Sequence, residues 1–298
     1  MHRYDRTALR GKASAPPGYR PDVVDPSFRI VQDLAAELST GKISFPTFID
    51  ATLKIRRALN DPNADADRIA RTISAEPLLA AKLVQVANSA ALGAPGQPVT
   101  EVKAALLRIG YANVHSIATS VAMAQLVVAK EMQPFLRRAE AVWRHSIDVA
   151  AIGYMVAAKL TKLNPDEALF AGLVHDIGSF YLLSKAPKYP ELCADVAALE
   201  ALLDEWHPSI GHAVLAKFSL SEAALKAVME HESKTYPSAL KTLTDVIAVA
   251  NLLSKEPNPL NGRASTWRTA VSIEHPTIVD LLEASTQELT SLVAGLRV

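Results

Sequence analysis

Apolar residues return every three or four positions through most of the chain, the spacing of one helix face, and no stretch alternates long enough to suggest a strand. The pattern predicts a succession of helices. The first covers Phe28 to Leu38 and closes at a turn at Gly41; a second follows Pro46 and gathers Phe48, Ile49, Leu53, Ile55 and Leu59 near one face. Asp65 is placed to cap a short helix holding Ile69 and Ile73, and Glu76-Pro77 opens another that runs through Leu83 and Val86, past Asn88 and Ser89, to a stop at Gly93. Thr100 is expected to cap a fifth helix ending at Gly110. Val114 to Lys130 then reads as a helix apolar on nearly every side and therefore buried.

Pro134 and the charged run Arg137-Arg138-Ala139-Glu140 mark a boundary in the pattern. Beyond it, helices are expected over Val142–Leu160, Pro165–Leu183, Val196–Trp206, Leu220–Glu232, Leu240–Ser254 and Thr277–Leu296, with proline forcing a restart at His207-Pro208 and a loop at Asn261-Gly262-Arg263. The fold class is all-α, with two packed helical subdomains. Residues 1–27, which hold Pro16, Pro17, Pro21 and Pro26, read as a flexible N-terminal arm. Residues 28–133 form the first helical subdomain and residues 134–298 the second, including a C-terminal helix.

Composition changes this picture by exclusion. With 298 residues, 49% of them hydrophobic, the chain can bury a large core. Lysine plus arginine equals aspartate plus glutamate at 31 each, so no net field draws in nucleic acid or anionic lipid, and neither is expected as a partner. The longest apolar run, Ser116 to Ala129, falls short of the roughly 18 to 20 residues that span a bilayer. The single cysteine, Cys193, suits a reducing compartment, and a cytoplasmic location is expected.

Ionisable groups interrupt the most apolar helix at His175-Asp176, between Gly172 and Gly178. A buried unpaired charge costs several kcal/mol, so this pair must be hydrogen-bonded, hydrated or bound to a metal. The two glycines point to another element crossing closely there. His145, His207, His212 and His231 fall on neighbouring helices, and inward-facing groups of a bundle converge in its interior. Imidazole with carboxylate oxygen suits one divalent ion of iron, manganese, zinc or nickel. Hydrogen bonding alone, as a polar tie between helices, is the other reading of the same residues.

Trp143-Arg144-His145-Ser146, Gly172-Leu173-Val174-His175-Asp176-Ile177-Gly178, His207-Pro208-Ser209-Ile210-Gly211 and His231-Glu232 together resemble the HD superfamily of metal-dependent phosphohydrolases. Ile43-Ser44-Phe45-Pro46-Thr47, Glu76-Pro77-Leu78, Val86-Ala87-Asn88-Ser89, Val99-Thr100 and Leu107-Arg108-Ile109-Gly110 narrow the likeness to the HDOD domain, a signalling output module related to the HD-GYP cyclic-dinucleotide phosphodiesterases. The resemblance spans about Phe28 to Ser254 and implies an HD-type helical bundle for the second subdomain.

What it implies for activity is mixed. The first histidine and the His-Asp pair of HD enzymes map onto His145, His175 and Asp176, with His207 and His231 as further ligands. The final aspartate is replaced by Asn251, Glu232 stands where HD-GYP relatives tend to carry a second histidine, and the glycine-tyrosine-proline signature is missing near His207. The expectation is a non-catalytic regulatory module that receives its input from signalling proteins on another chain. The competing expectation is a metal-dependent phosphohydrolase acting on a nucleotide or cyclic dinucleotide, with Asp176 the candidate catalytic residue.

Overall fold

The computed structural model describes residues 26–40, 55, 57–59, 61, 63–89, 97–216, 220–232, 237, 239–256 and 276–297, and among these every regular element is a helix, so the fold is all-α. Residues 1–25, the Ile43–Thr47 motif, most of the helix expected after Pro46, the stops at Gly41 and Gly93 and the loop at Asn261–Arg263 lie outside the described residues. Among the described residues no helix is long and apolar enough to cross a membrane.

The first helix, α1, spans Pro26–Ser39. In α2 (Ala66–Ser74) the Asp65 side chain accepts from the Arg68 amide, and Ile69 and Ile73 are buried as their spacing predicts. Pro77 opens α3 (Pro77–Ala87), which closes at Asn88. The Asn88 amide then bonds both the N–H and the C=O of Val99 at 2.9 Å, while Arg108 donates to the Gln97 carbonyl. Two of the motifs that resemble the HDOD domain are thereby tied to each other.

Thr100 does not cap α4. That helix is Val102–Ile109, led in by an extended Glu101 without a side-chain cap, because burial of Ala105, Leu106 and Ile109 sets its phase. At Gly110 φ is +84°, a conformation that favours glycine, and the chain turns directly into α5 (Tyr111–Val127). This helix begins and ends three residues before the expected Val114–Lys130, and a short 3-10 turn over Lys130–Phe135 accommodates Pro134.

The second half opens with the long α6, Leu136–Leu160, so the charged run at 137–140 lies within its first turns, with Ala139 buried. The helix expected over Pro165–Leu183 is two helices, α7 (Pro165–Val174) and α8 (Ile177–Lys185), broken at the His-Asp pair. A short α9 (Pro190–Ala194) precedes α10, which runs unbroken from Val196 to Ala216 through Pro208. Proline inside a helix costs about 3 kcal/mol. Here Leu199, Leu202 and Leu203 before it and Ile210, Val214 and Leu215 after it form one buried stripe, and α10 packs along α8, which outweighs that cost.

Ser221 caps α11 (Glu222–Glu230), and a reciprocal box between Thr242 and Asp245 starts α12 (Leu243–Leu253). The expected last helix divides at Ser285 into α13 (Pro276–Ala284) and α14 (Thr286–Leu296).

One cluster of buried apolar side chains runs from Ile30 in α1 to Leu296 in α14; a second joins α6, α7, α11 and α12 through Val149, Ala171, Ala227 and Ile247. Because α6 contributes to both clusters, its polar positions are held between them. The end of α14 docks on the first half, where the Leu296 carbonyl accepts from buried Ser120 and the Arg297 carbonyl from Lys82.

Candidate metal centre

Gly172 and Gly178 bring the elements of the site together. A Cβ on Gly172 would stand 2.4 Å from the Ala150 Cα, and one on Gly178 2.0 Å from the His207 carbonyl oxygen. Only glycine allows α6 to cross α7, and α10 to cross α8, at this separation.

Four histidines from four places in the chain then point inward. His145 comes from the middle of α6, His175 from the α7–α8 break, His207 from α10 and His231 from the C-terminal end of α11, and all are buried. Each is oriented by a backbone carbonyl: Nδ1 lies 2.9 Å from the Glu256 oxygen for His145, 2.8 Å from Gly172 for His175, 2.7 Å from Leu203 for His207 and 2.7 Å from Val228 for His231. A carbonyl only accepts, so each Nδ1 carries a proton and donates. The Nε2 atoms face the interior, which is the orientation of metal-ligating histidine.

Asp176, fully buried, lies among them. Its oxygens are 3.2 Å from His175 Nε2 and 3.4 Å from both His207 Nε2 and His231 Nε2. None of these approaches is aligned as a hydrogen bond, so both Asp176 oxygens and His175 Nε2 have no hydrogen-bond partner. Leaving a buried acceptor unpaired costs roughly 1–3 kcal/mol. Three together at one point is the arrangement that a bound cation resolves.

Electrostatics point the same way. Burial pushes the Asp176 carboxyl up, but the imidazoles of His175, His231 and His207 outweigh it and hold the group well below the usual carboxylate range. Burial pushes His145 and His207 down, keeping them neutral, as a ligand must be. His231 moves up: burial alone would lower it, yet Asp176 and Glu232 more than compensate. Its Nε2 stands 3.1 Å from His207 Nε2, with the Nδ1 atom of each ring turned to a backbone carbonyl.

Two ligand groups share Asp176: His145 with His175 and Asp176, and Asp176 with His207 and His231, each with its ligand atoms within 4.8 Å of one another. These residues can hold a metal. Asn251, on α12, extends the first group, its Oδ1 2.7 Å from His145 Nε2 and its Nδ2 3.4 Å from Glu232 Oε1. His212 is not brought in; it is half-buried on α10, and among the described residues it belongs to neither group.

Asp148 went unnoticed in the sequence. Its carboxylate accepts from Ser254 Oγ at 2.8 Å and the Lys255 amide at 2.6 Å, fixing the turn whose Glu256 carbonyl orients His145. The available signal was its place three residues after His145 on the same helix.

Helices alone, around a buried His-Asp cluster reached from four directions, define the class to which this protein belongs. It is a member of the HDOD domain family, whose sequence profile matches residues 45–234, more than half of the chain. A crystal structure from Shewanella amazonensis, provisionally named a metal-dependent phosphohydrolase, is 25% identical with a TM-score of 0.73, covering 92% of this chain and 100% of that one. An HDOD domain protein of unknown function from Geobacter sulfurreducens is 22% identical with a TM-score of 0.57, covering 91% and 99%, and so shares the fold. An uncharacterized protein of Treponema pallidum is 24% identical over 237 residues, 74% of this chain and 44% of that one, so this chain spans less than half the length of that curated relative.

Proposed function

We propose that the protein is a signal-transduction output module of the HDOD class that acts through protein contacts rather than turnover. In this reading its histidine-aspartate cluster holds a single divalent cation as a fixed centre. The observation that carries the reading is Asn251, an uncharged amide 2.7 Å from His145 Nε2 where HD enzymes are expected to place a carboxylate. Asp176 and Glu232 supply two negative charges, enough to balance one dication. A second dication would leave an excess of two positive charges beside fully buried groups, where uncompensated charge is costly.

His145, His175, Asp176, His207 and His231 would hold the ion, and their mix of imidazole and carboxylate suits iron, manganese, zinc or nickel. The bound ion would supply positive charge at the point where the helices meet, and so fix their relative positions. The chain's partners in this reading are signalling proteins on another chain, with a nucleotide as the small-molecule ligand class.

One observation favours a second reading, a metal-dependent phosphohydrolase acting on a nucleotide or cyclic dinucleotide: the two ligand groups share Asp176, as a bridging carboxylate would. Elemental analysis of protein purified without chelator, followed by phosphatase and phosphodiesterase assays with iron or manganese, separates the readings. One ion per chain and no turnover support the module. Turnover that Asp176→Ala abolishes would overturn it.

A further inference from the structure

A cavity of about 460 Å³ opens between α5 and the N-terminal ends of α7 and α11, and none of the metal-centre residues lines it. Its volume suits a small organic ligand. Its walls combine aromatic rings with carboxylates: Tyr111 and His115 from α5, Phe170, Asp166 and Glu167 from α7, and among the described residues that line it there is no lysine or arginine. The His115 and Phe170 rings stack with centroids 4.6 Å apart and planes 34° from parallel.

Acidic residues in the first turn of a helix ordinarily complement its dipole, and that role must be subtracted first. A helix N-terminus carries about half a positive charge, so two of them offset about one of the two carboxylate charges and leave the described walls of the cavity negative. Both carboxylates also line the cavity. Glu167 accepts from Ser221 Oγ at 2.5 Å, while Asp166 makes no ion pair with any described residue and is pushed up by burial.

Ser116 is the independent observation. It is 1% exposed, it lines the cavity, and its hydroxyl has no hydrogen-bond partner. A buried hydroxyl without a partner is rare in folded proteins, and at a cavity wall it is available to a ligand donor. The ring faces add negative quadrupole, which favours a cation further. Phosphate and carboxylate ligands are disfavoured by the same groups.

We propose that this cavity is a binding site for an organic cation, an alkylammonium or guanidinium group held between Asp166 and Glu167, with its apolar stem against Phe170 and Tyr111 and a donor to Ser116. The cation comes either from a free amine or from an arginine side chain of a partner. The inference is independent of the metal centre.

Titration of the full chain with agmatine, followed by calorimetry and by NMR of the aromatic resonances, tests it. N-acetyl-argininamide serves as the peptide-like probe, and pentanol and glutarate as neutral and anionic probes. Agmatine is expected to bind with shifts at Tyr111, His115 and Phe170, and the Asp166→Asn/Glu167→Gln double variant to bind about tenfold more weakly or worse, the equivalent of losing one charge-assisted contact. Ser116→Ala, a small change that leaves the fold intact, is expected to weaken binding about threefold. Tighter binding of N-acetyl-argininamide than of agmatine assigns the cation to a partner's arginine, and the reverse to a free amine. Absence of agmatine binding at millimolar concentration, pentanol binding as tightly, or full affinity in a folded double variant would overturn the proposal.

Discussion

Gly178 lies directly against the His207 backbone, so close that a Cβ on it would stand 2.0 Å from the carbonyl oxygen and 2.6 Å from the Gly211 amide nitrogen. Both contacts are with backbone, which has no flexible end to move aside. Gly178→Ala is therefore expected to push α10 away from α8, destabilise the protein by about 3 kcal/mol or more, and move His207 away from Asp176. Chemical denaturation measures the first effect and metal binding the second. A variant of unchanged stability would show that the helices are not held at this separation in solution.

His145 and Asn251 form the contact on which the metal reading is most directly tested. With the His145 Nδ1 proton donated to the Glu256 carbonyl, His145 Nε2 and Asn251 Oδ1 face each other as two acceptors at 2.7 Å, an approach that a shared cation would stabilise. Asn251→Asp adds a full negative charge at this point and is expected to raise the affinity for manganese or zinc about tenfold, read by competition with a chromogenic chelator. Unchanged affinity would place Asn251 outside the ligand set.

Removal of the ion should be visible in stability. A ligand that binds only the folded chain stabilises it by about 2.7 kcal/mol when present at a hundred times its dissociation constant, a difference of roughly 5 °C or more in melting temperature. Chelation is expected to lower the melting temperature by that order, and Asp176→Asn to abolish the difference between treated and untreated protein. Equal melting curves for the untreated wild type with and without chelator would favour the polar-tie reading, in which the histidines are satisfied without an ion.

How far the sequence disclosed this site depends on which residues one follows. The ligands were legible because ionisable side chains on apolar helices stand out, and because Gly172 and Gly178 break an apolar run at a place where only a crossing element explains them. The break at His175-Asp176 was not legible: beyond its first turn α7 is apolar all round, so no polar face loses its phase there. Pro208 misled in the opposite direction, since its local preference was overridden by a stripe of leucine and isoleucine that becomes visible only once α10 is packed. The cavity beside Ser116 joins segments about 50 positions apart, and no local pattern announces it.

A last prediction concerns α1, which the sequence pattern delimited but did not attach. Tyr189 donates to Asp33 Oδ2 at 2.5 Å, and Tyr181 and Lys185 both donate to Glu37 Oε1, at 2.7 and 2.6 Å. Burial, and then the hydrogen bond and charge of Asp33, push the Tyr189 hydroxyl up from 10.0 to about 12; burial and Glu37 push Tyr181 up further. The protonated phenol is thus favoured in the folded state. Between about pH 10 and pH 12 the unfolded chain releases a proton that folded Tyr189 retains, so the stabilisation present below pH 10 is lost across that interval. Stability measured by guanidinium unfolding is expected to fall more steeply from pH 9.5 to 11.5 in the wild type than in Tyr189→Phe, with α1 amides losing hydrogen-exchange protection first. Identical pH profiles for the two proteins would show that the Tyr189 to Asp33 bond does not hold α1 in place.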